Sequence, residues 1–234
     1  MKRILVVALV LLTHNLQAQK IIKQITNAVS GQGSGLSNAE IINGLKEALK
    51  VGTNNSTAAA SKLDGYYKNP LIKIPFPREV SEVEKTLRNM GMNKEVDKFV
   101  MTLNRAAEDA AKSAAPVFLN SIQKMTINDG LSILKGGNDA ATQFLKNTSN
   151  AALIASFKPI VQNSLSKVQI TQYWNPLMTT YNKIPFVKKV NPDLNQYVTD
   201  KAIEGLFKLI AAEELKIRKD PAARINDILK KVFG

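Results

Sequence analysis

Apolar residues recur three and four positions apart along most of this chain, the spacing that puts them on one face of an α-helix. Ser37 opens the first clear case. Its hydroxyl can cap free backbone N–H groups, and Glu40 three residues on completes a capping box. Ile41, Ile42, Leu45, Ala48 and Leu49 then form one apolar face, and Gly52 is expected to close the helix. A second short helix is expected over residues 56–63, ended by the turn pair Asp64-Gly65. Residues 66–77 contain Pro70, Pro75 and Pro77, which remove donors and push their predecessors into extended geometry. Helix is expected again over residues 78–90 and from near Asn93, with Val96, Phe99, Val100, Leu103 and Ala107 buried. Pro116 should break that helix before residues 117–125. Thr126 and Asn138 read as caps of two further short helices, and helix resumes over residues 150–168 and 171–182. A second proline segment, residues 184–192, leads to a long helix over residues 194–219. Asp220 as cap and Pro221 at the first helical position open a last helix, with Ile225, Ile228, Leu229 and Val232 on its apolar face. No convincing run of alternating apolar residues appears. The fold class is therefore all-α: a multi-helix bundle of roughly eight to ten helices with two proline-rich extended connections.

Two short motifs recur and suggest a weak internal duplication. Ser37-Asn38-Ala39 returns as Ser149-Asn150-Ala151, and Lys73-Ile74-Pro75-Phe76 returns as Lys183-Ile184-Pro185-Phe186.

The N-terminus has a different character. Lys2 and Arg3 precede an unbroken apolar run at residues 4–12, and Ala18 offers a small residue at a cut. The run is too short for a bilayer, which needs roughly 20 residues. Residues 1–18 are read as a signal peptide, 19–35 as a short helix and Gly-rich linker, and 36–234 as one all-helical domain. Export to the periplasm or beyond follows, as a soluble protein with no transmembrane segment once the signal is cut. A lipoprotein would need a Cys at the cut, and the chain has none. Its one histidine, His14, lies inside the signal. Most hydrolase triads, thiol chemistry and ordinary zinc sites then have no residues to use, so no metal and no cofactor is expected. The formal net charge of +13 favours anionic partners, although the basic residues are spread along the chain. Export argues against intracellular nucleic acid as a partner.

Carboxylates, cations and aromatics remain as candidates. Glu213 falls on the stripe of Ile203, Leu206, Ile210 and Ile217 and is the one weak catalytic candidate. A carboxylate facing a core titrates high unless paired. Its expected partners are Arg105, Arg218 or Arg224. Glu214 should pair with Arg218 one turn on, and Arg105 with Glu108 or Asp109 is expected to be a solvent-exposed pair. Aromatics gather at the proline segments: Tyr66, Tyr67 and Phe76 with Lys68 and Lys73 at the first, and Tyr173, Trp174, Tyr181 and Phe186 with Lys183 at the second. They are either a ligand surface or plugs of the core.

Four stretches carry a resemblance. They are residues 36–49, Gly65-Tyr66-Tyr67-Lys68-Asn69-Pro70 with Lys73-Ile74-Pro75, Asn104-Arg105-Ala106-Ala107-Glu108, and residues 197–202 with 218–224. Together they resemble an uncharacterised bacterial family of exported proteins, domain of unknown function 4197. The resemblance implies a mostly helical envelope protein and brings no activity with it. The leading expectation is a non-catalytic envelope protein that binds an apolar or anionic component, such as a lipid or anionic glycan, or a protein partner. The alternatives are a carboxylate-dependent glycan-cleaving enzyme of helical muramidase type, with Glu213 as acid, and a homo-oligomeric scaffold.

Overall fold

The structure is a computed structural model that describes residues 37–168, 174–183, 185–186, 189–191, 193–224 and 230. The expected signal, the N-terminal short helix and linker, Tyr173 and the apolar face of the last helix lie outside these residues. Among the described residues there are eight α-helices and no strand.

Helix α1 spans Asn38–Ser61. It opens on the expected capping box, with the Ser37 amide donating to Glu40 Oε2 at 2.7 Å and the Glu40 amide to Ser37 Oγ at 3.3 Å. It does not end at Gly52, which corrects the expectation of two helices here. A glycine inside a helix costs only about 1 kcal/mol, and tertiary burial outweighs that. Thr53 and Thr57 behind it return their hydroxyls to the carbonyls of Leu49 and Thr53 at 2.8 and 2.9 Å, so neither polar side chain interrupts the helix.

A short 3₁₀ turn, Arg78–Val80, leads into α2, Ser81–Asn89, and α3 follows over Asn93–Ala111. Helix α4 covers Ala114–Gln123. Pro116 sits in its first turn, where no N–H is required, so the break falls earlier than expected. Helix α5, Ile127–Lys135, has Thr126 and Asp129 as a reciprocal capping box.

Helix α6 runs unbroken over Ala140–Ser166. Pro159 and Ala155, whose carbonyl the proline leaves without a helical donor, are both exposed, so water can satisfy that carbonyl. Asn138 caps nothing here, and Ser149 lies buried mid-helix with its hydroxyl on the Leu145 carbonyl. The Ser37 and Ser149 motifs therefore do different jobs, which removes one leg of the suspected duplication. Helix α7 covers Trp174–Tyr181, and α8 covers Leu194–Lys219 with Asp193 capping Gln196 N at 3.0 Å. Past α8, Asp220 caps a 3₁₀ turn over Pro221–Ala223 through Ala222 N at 2.9 Å.

Helix α6 packs against α8, α3 and α4, and α8 also packs on α3 and α1. Leu103, Leu145, Leu153, Phe157, Val161 and Leu206 are fully buried where these helices meet. A smaller apolar cluster of Ile42, Leu45, Met125, Ile133 and Ala141 forms where α5 crosses α1 and α6. Gly130 makes that crossing possible, since a Cβ there would run into Ile42.

Candidate functional site

The first proline segment is a strap over α3 and α8; it winds through turns as far as residue 72, closed by bonds such as Ile72 N to Asn69 O at 3.2 Å, so the expected extended geometry is confined to the residues after them. From Leu71 to Phe76 its residues alternate exposed and buried: Ile72, Ile74 and Phe76 point inward, while Leu71, Lys73 and Pro75 face out. No second strand pairs with it among the described residues. Asn104 of α3 takes that role. Its Oδ1 accepts from Ile74 N at 2.8 Å, and its Nδ2 donates to Ile74 O at 2.8 Å. One buried amide thus imitates a strand partner.

Glu108, one turn further along α3, holds the start of the strap. Its Oε1 accepts from the amides of Tyr66 and Tyr67 at 3.1 and 3.2 Å, and Oε2 pairs with Arg105 at 2.6 Å. Arg105 also reaches Asp64 at 2.6 Å, and Asp64 pairs with Lys68 at 2.8 Å. Those two cations hold the Asp64 carboxyl below its usual range, Lys68 contributing most. Glu108 is buried, which corrects the expectation of an exposed Arg105–Glu108 pair. The error lay in the helix phase: α3 buries Asn104 and Glu108 because the strap, and not only another helix, covers it.

The rings at this end are mostly core. Tyr66 is fully buried and donates its hydroxyl to Ala202 O at 2.6 Å, a close fit that Gly205 permits because a Cβ there would lie 2.8 Å from the ring. Phe76, Phe99 and Trp174 form a buried trio, with centroids 5.2 to 5.6 Å apart. The first proline region therefore touches the start of α7, which precedes the second proline segment. Tyr66, Phe76 and Trp174 plug the core and do not present a surface. Tyr67 is half-buried, with Lys73 Nζ 4.7 Å and the Arg105 guanidinium 5.7 Å from its ring centre. Lys68 is exposed, Tyr181 half-buried and Phe186 fully exposed.

The outward edge of the strap and α8 form a groove of about 370 Å³. Lys73, Arg78, Lys201 and Lys208 line it, with Glu79 and Glu204 as its acids and Tyr197 on one wall. Glu204 is bonded to Lys201 at 2.7 Å and to Lys208 at 2.8 Å, and these bonds push its carboxyl down to about 2. Tyr197 donates to Pro75 O at 3.2 Å, and burial pushes its hydroxyl up to about 12. Among the described residues, neither Lys73 nor Arg78 lies within ion-pair distance of a carboxylate. The groove can hold an anion and offers no nucleophile paired with a base.

The second carboxylate cluster is elsewhere. Glu214 of α8 accepts from Ala141 N at 2.9 Å and from Thr142 N and Oγ1 at 2.8 Å each, and Arg218 adds Nε and Nη2 at 3.0 and 2.8 Å. It caps α6 from another helix, where negative charge suits the helix N-terminus. Nothing near Asp139 in sequence announces this, because the cap lies 73 residues downstream of Ala141. Glu213, expected on the buried stripe, is only half-buried, and its neighbour Glu214 is the buried one. Arg218 is taken by Glu214 and the Ile133 carbonyl, Arg105 by Glu108 and Asp64, and Arg224 by the carbonyls of Ile217 and Arg218. The expected single network is thus two separate clusters, and Glu213 joins neither. It lines a small apolar pocket of about 40 Å³ beside Leu45, Leu49, Ile133, Ile210 and Ile217. Such walls offer a sugar few hydrogen bonds, and Glu214, the only adjoining carboxylate among the described residues, has its oxygens engaged. No group of acids, His or Cys able to hold a metal occurs among the described residues.

A family model described as a protein of unknown function, DUF4197, matches residues 35–234. The chain belongs to this family. The match covers both proline segments and both carboxylate clusters. No curated protein and no solved structure matches the chain. The family thus brings no activity to the groove, and its chemistry has to be read from the residues themselves.

Proposed function

We propose that this protein is a non-catalytic binding protein of the bacterial cell envelope, and that its ligand is an anionic envelope component seated in the groove between the strap and α8. The observation that carries this reading is the convergence of Lys73, Arg78, Lys201 and Lys208 on one groove whose inner acid, Glu204, is already matched by two lysines. Asn104 and Glu108 fix the strap that carries Lys73, so the cations are held in place before a ligand arrives. The basic start and apolar run of residues 1–18 support export. No described helix is long and apolar enough to cross a membrane.

Calorimetric titration with inorganic pyrophosphate and with lipopolysaccharide tests the reading. Binding should weaken as salt rises, and the double variant Lys73→Ala, Arg78→Ala should bind roughly tenfold more weakly. Equal affinity in the variant, or no binding of either probe at low salt, would reject it.

A further inference from the structure

The loop between α7 and α8 is closed at its base and open at its tip. Asn182 Oδ1 accepts from Val190 N at 2.8 Å, and Asn182 Nδ2 donates to Val190 O at 2.7 Å. Val190 is buried, so this clamp fixes both ends of the loop against the body of the protein. Between them Lys183, Pro185, Phe186 and Lys189 are all exposed. Phe186 has a relative exposure of 108%, so its ring gains no cover from the protein. Its φ is 65°, in the left-handed region that a bulky side chain rarely adopts. One residue thus carries a strained backbone and a solvated aromatic ring, and nothing within the described residues compensates either. An apolar phase outside the protein would give the ring the cover it lacks.

The charge around the tip says which apolar phase. Lys183 and Lys189 are exposed on either side of Phe186, and residues 182–192 contain no acidic residue. A protein interface of useful strength needs several apolar anchors side by side. Among the described residues of the loop Phe186 stands alone: the other exposed large apolar side chains, Leu63, Leu71, Met90, Met92, Ile127 and Leu215, all lie outside it. A single ring among cations suits a surface that needs no shaped socket. We propose that this loop docks the protein on a bilayer containing anionic phospholipid, with the Phe186 ring at the boundary of headgroups and acyl chains and Lys183 and Lys189 at the phosphates. The inference uses none of the groove's residues and stands apart from the reading of the groove.

The test is sedimentation of the full chain with vesicles of phosphatidylethanolamine, with and without phosphatidylglycerol. Wild type should partition onto the phosphatidylglycerol vesicles, and Phe186→Ser should lower that partition roughly tenfold. Comparison within one background cancels whatever residues 1–18 contribute. Lys183→Gln with Lys189→Gln should lose most of the preference for phosphatidylglycerol, while Lys94→Gln with Lys98→Gln, exposed on α3, should keep it. Phe186→Trp should shift to blue emission on those vesicles and be quenched by brominated acyl chains. Unchanged circular dichroism confirms that each variant folds. Partition of Phe186→Ser equal to wild type, or a Phe186→Trp ring that stays unquenched, would overturn the proposal. So would equal Phe186-dependent binding to dextran sulfate and to vesicles, which would assign the loop to a soluble polyanion.

Discussion

Two identical tetrapeptides meet opposite fates in this fold. In Lys73-Ile74-Pro75-Phe76 the phenylalanine is buried against Phe99 and Trp174, and in Lys183-Ile184-Pro185-Phe186 it stands in solvent. Both segments are tied by an asparagine that holds one residue's N–H and C=O together, but the ties sit differently. Asn104 grips Ile74 inside the motif, so alternation carries Phe76 inward two residues later. Asn182 grips Val190, beyond the motif, and leaves Phe186 at the tip. The position of one amide relative to the motif, and not the motif, decides where the ring goes.

The largest test of this contrast is truncation of each ring. Phe76→Ala should cost about 3–5 kcal/mol through the cavity it leaves, whereas Phe186→Ala should stay within about 0.5 kcal/mol. Urea denaturation of the two variants side by side measures both, and equal losses would dissolve the comparison. The two clamps come next. Asn104→Ala leaves both backbone groups of Ile74 buried and unpaired and should cost about 2–4 kcal/mol. Asn182→Ala frees a loop nearer solvent and should cost about 1 kcal/mol. Hydrogen exchange at Ile74 and Val190 would show whether each clamp acts locally.

The smallest effect is on alkaline stability. Tyr197 touches the first segment through Pro75, and its hydroxyl is raised from an ordinary 10.0 to about 12. Buried Tyr66 is raised as well, by burial and then by the Glu108 charge. A raised group favours folding below its unfolded value and loses that contribution as pH rises through the folded one. Stability should therefore hold up to about pH 10 and fall above it, and Tyr197→Phe should flatten the fall between pH 10 and 12. A thermal melt series over that range gives the slope, and an unchanged slope would show that Tyr197 does not contribute.

Much of the fold was legible because it is written in helix periodicity and local caps. Ser37 with Glu40 and Thr126 as a cap act within one turn and are read from spacing, whereas Asp129 and Asp193, equally local, are not singled out. Gly52 misled because burial kept α1 whole where local propensity favoured a stop. The carboxylates were harder. A helix wheel around Leu206 favours Glu213, yet α6 begins over Glu214 and draws the adjacent residue inward. The groove was half visible: Lys73 was noted beside the aromatics, while Arg78, Lys201, Glu204 and Lys208 come from elements that meet only in three dimensions.

The Glu214 cap also has a consequence for the order of assembly. The first turn of α6 receives its counter-charge from a residue that leaves the ribosome 73 positions after Ala141, so that turn is incomplete until the last turns of α8 have been made and docked. A chain cut short before Glu214 would present a frayed, protease-sensitive start of α6 near the middle of its sequence. The cap thereby links the survival of the whole protein to the arrival of its C-terminal end.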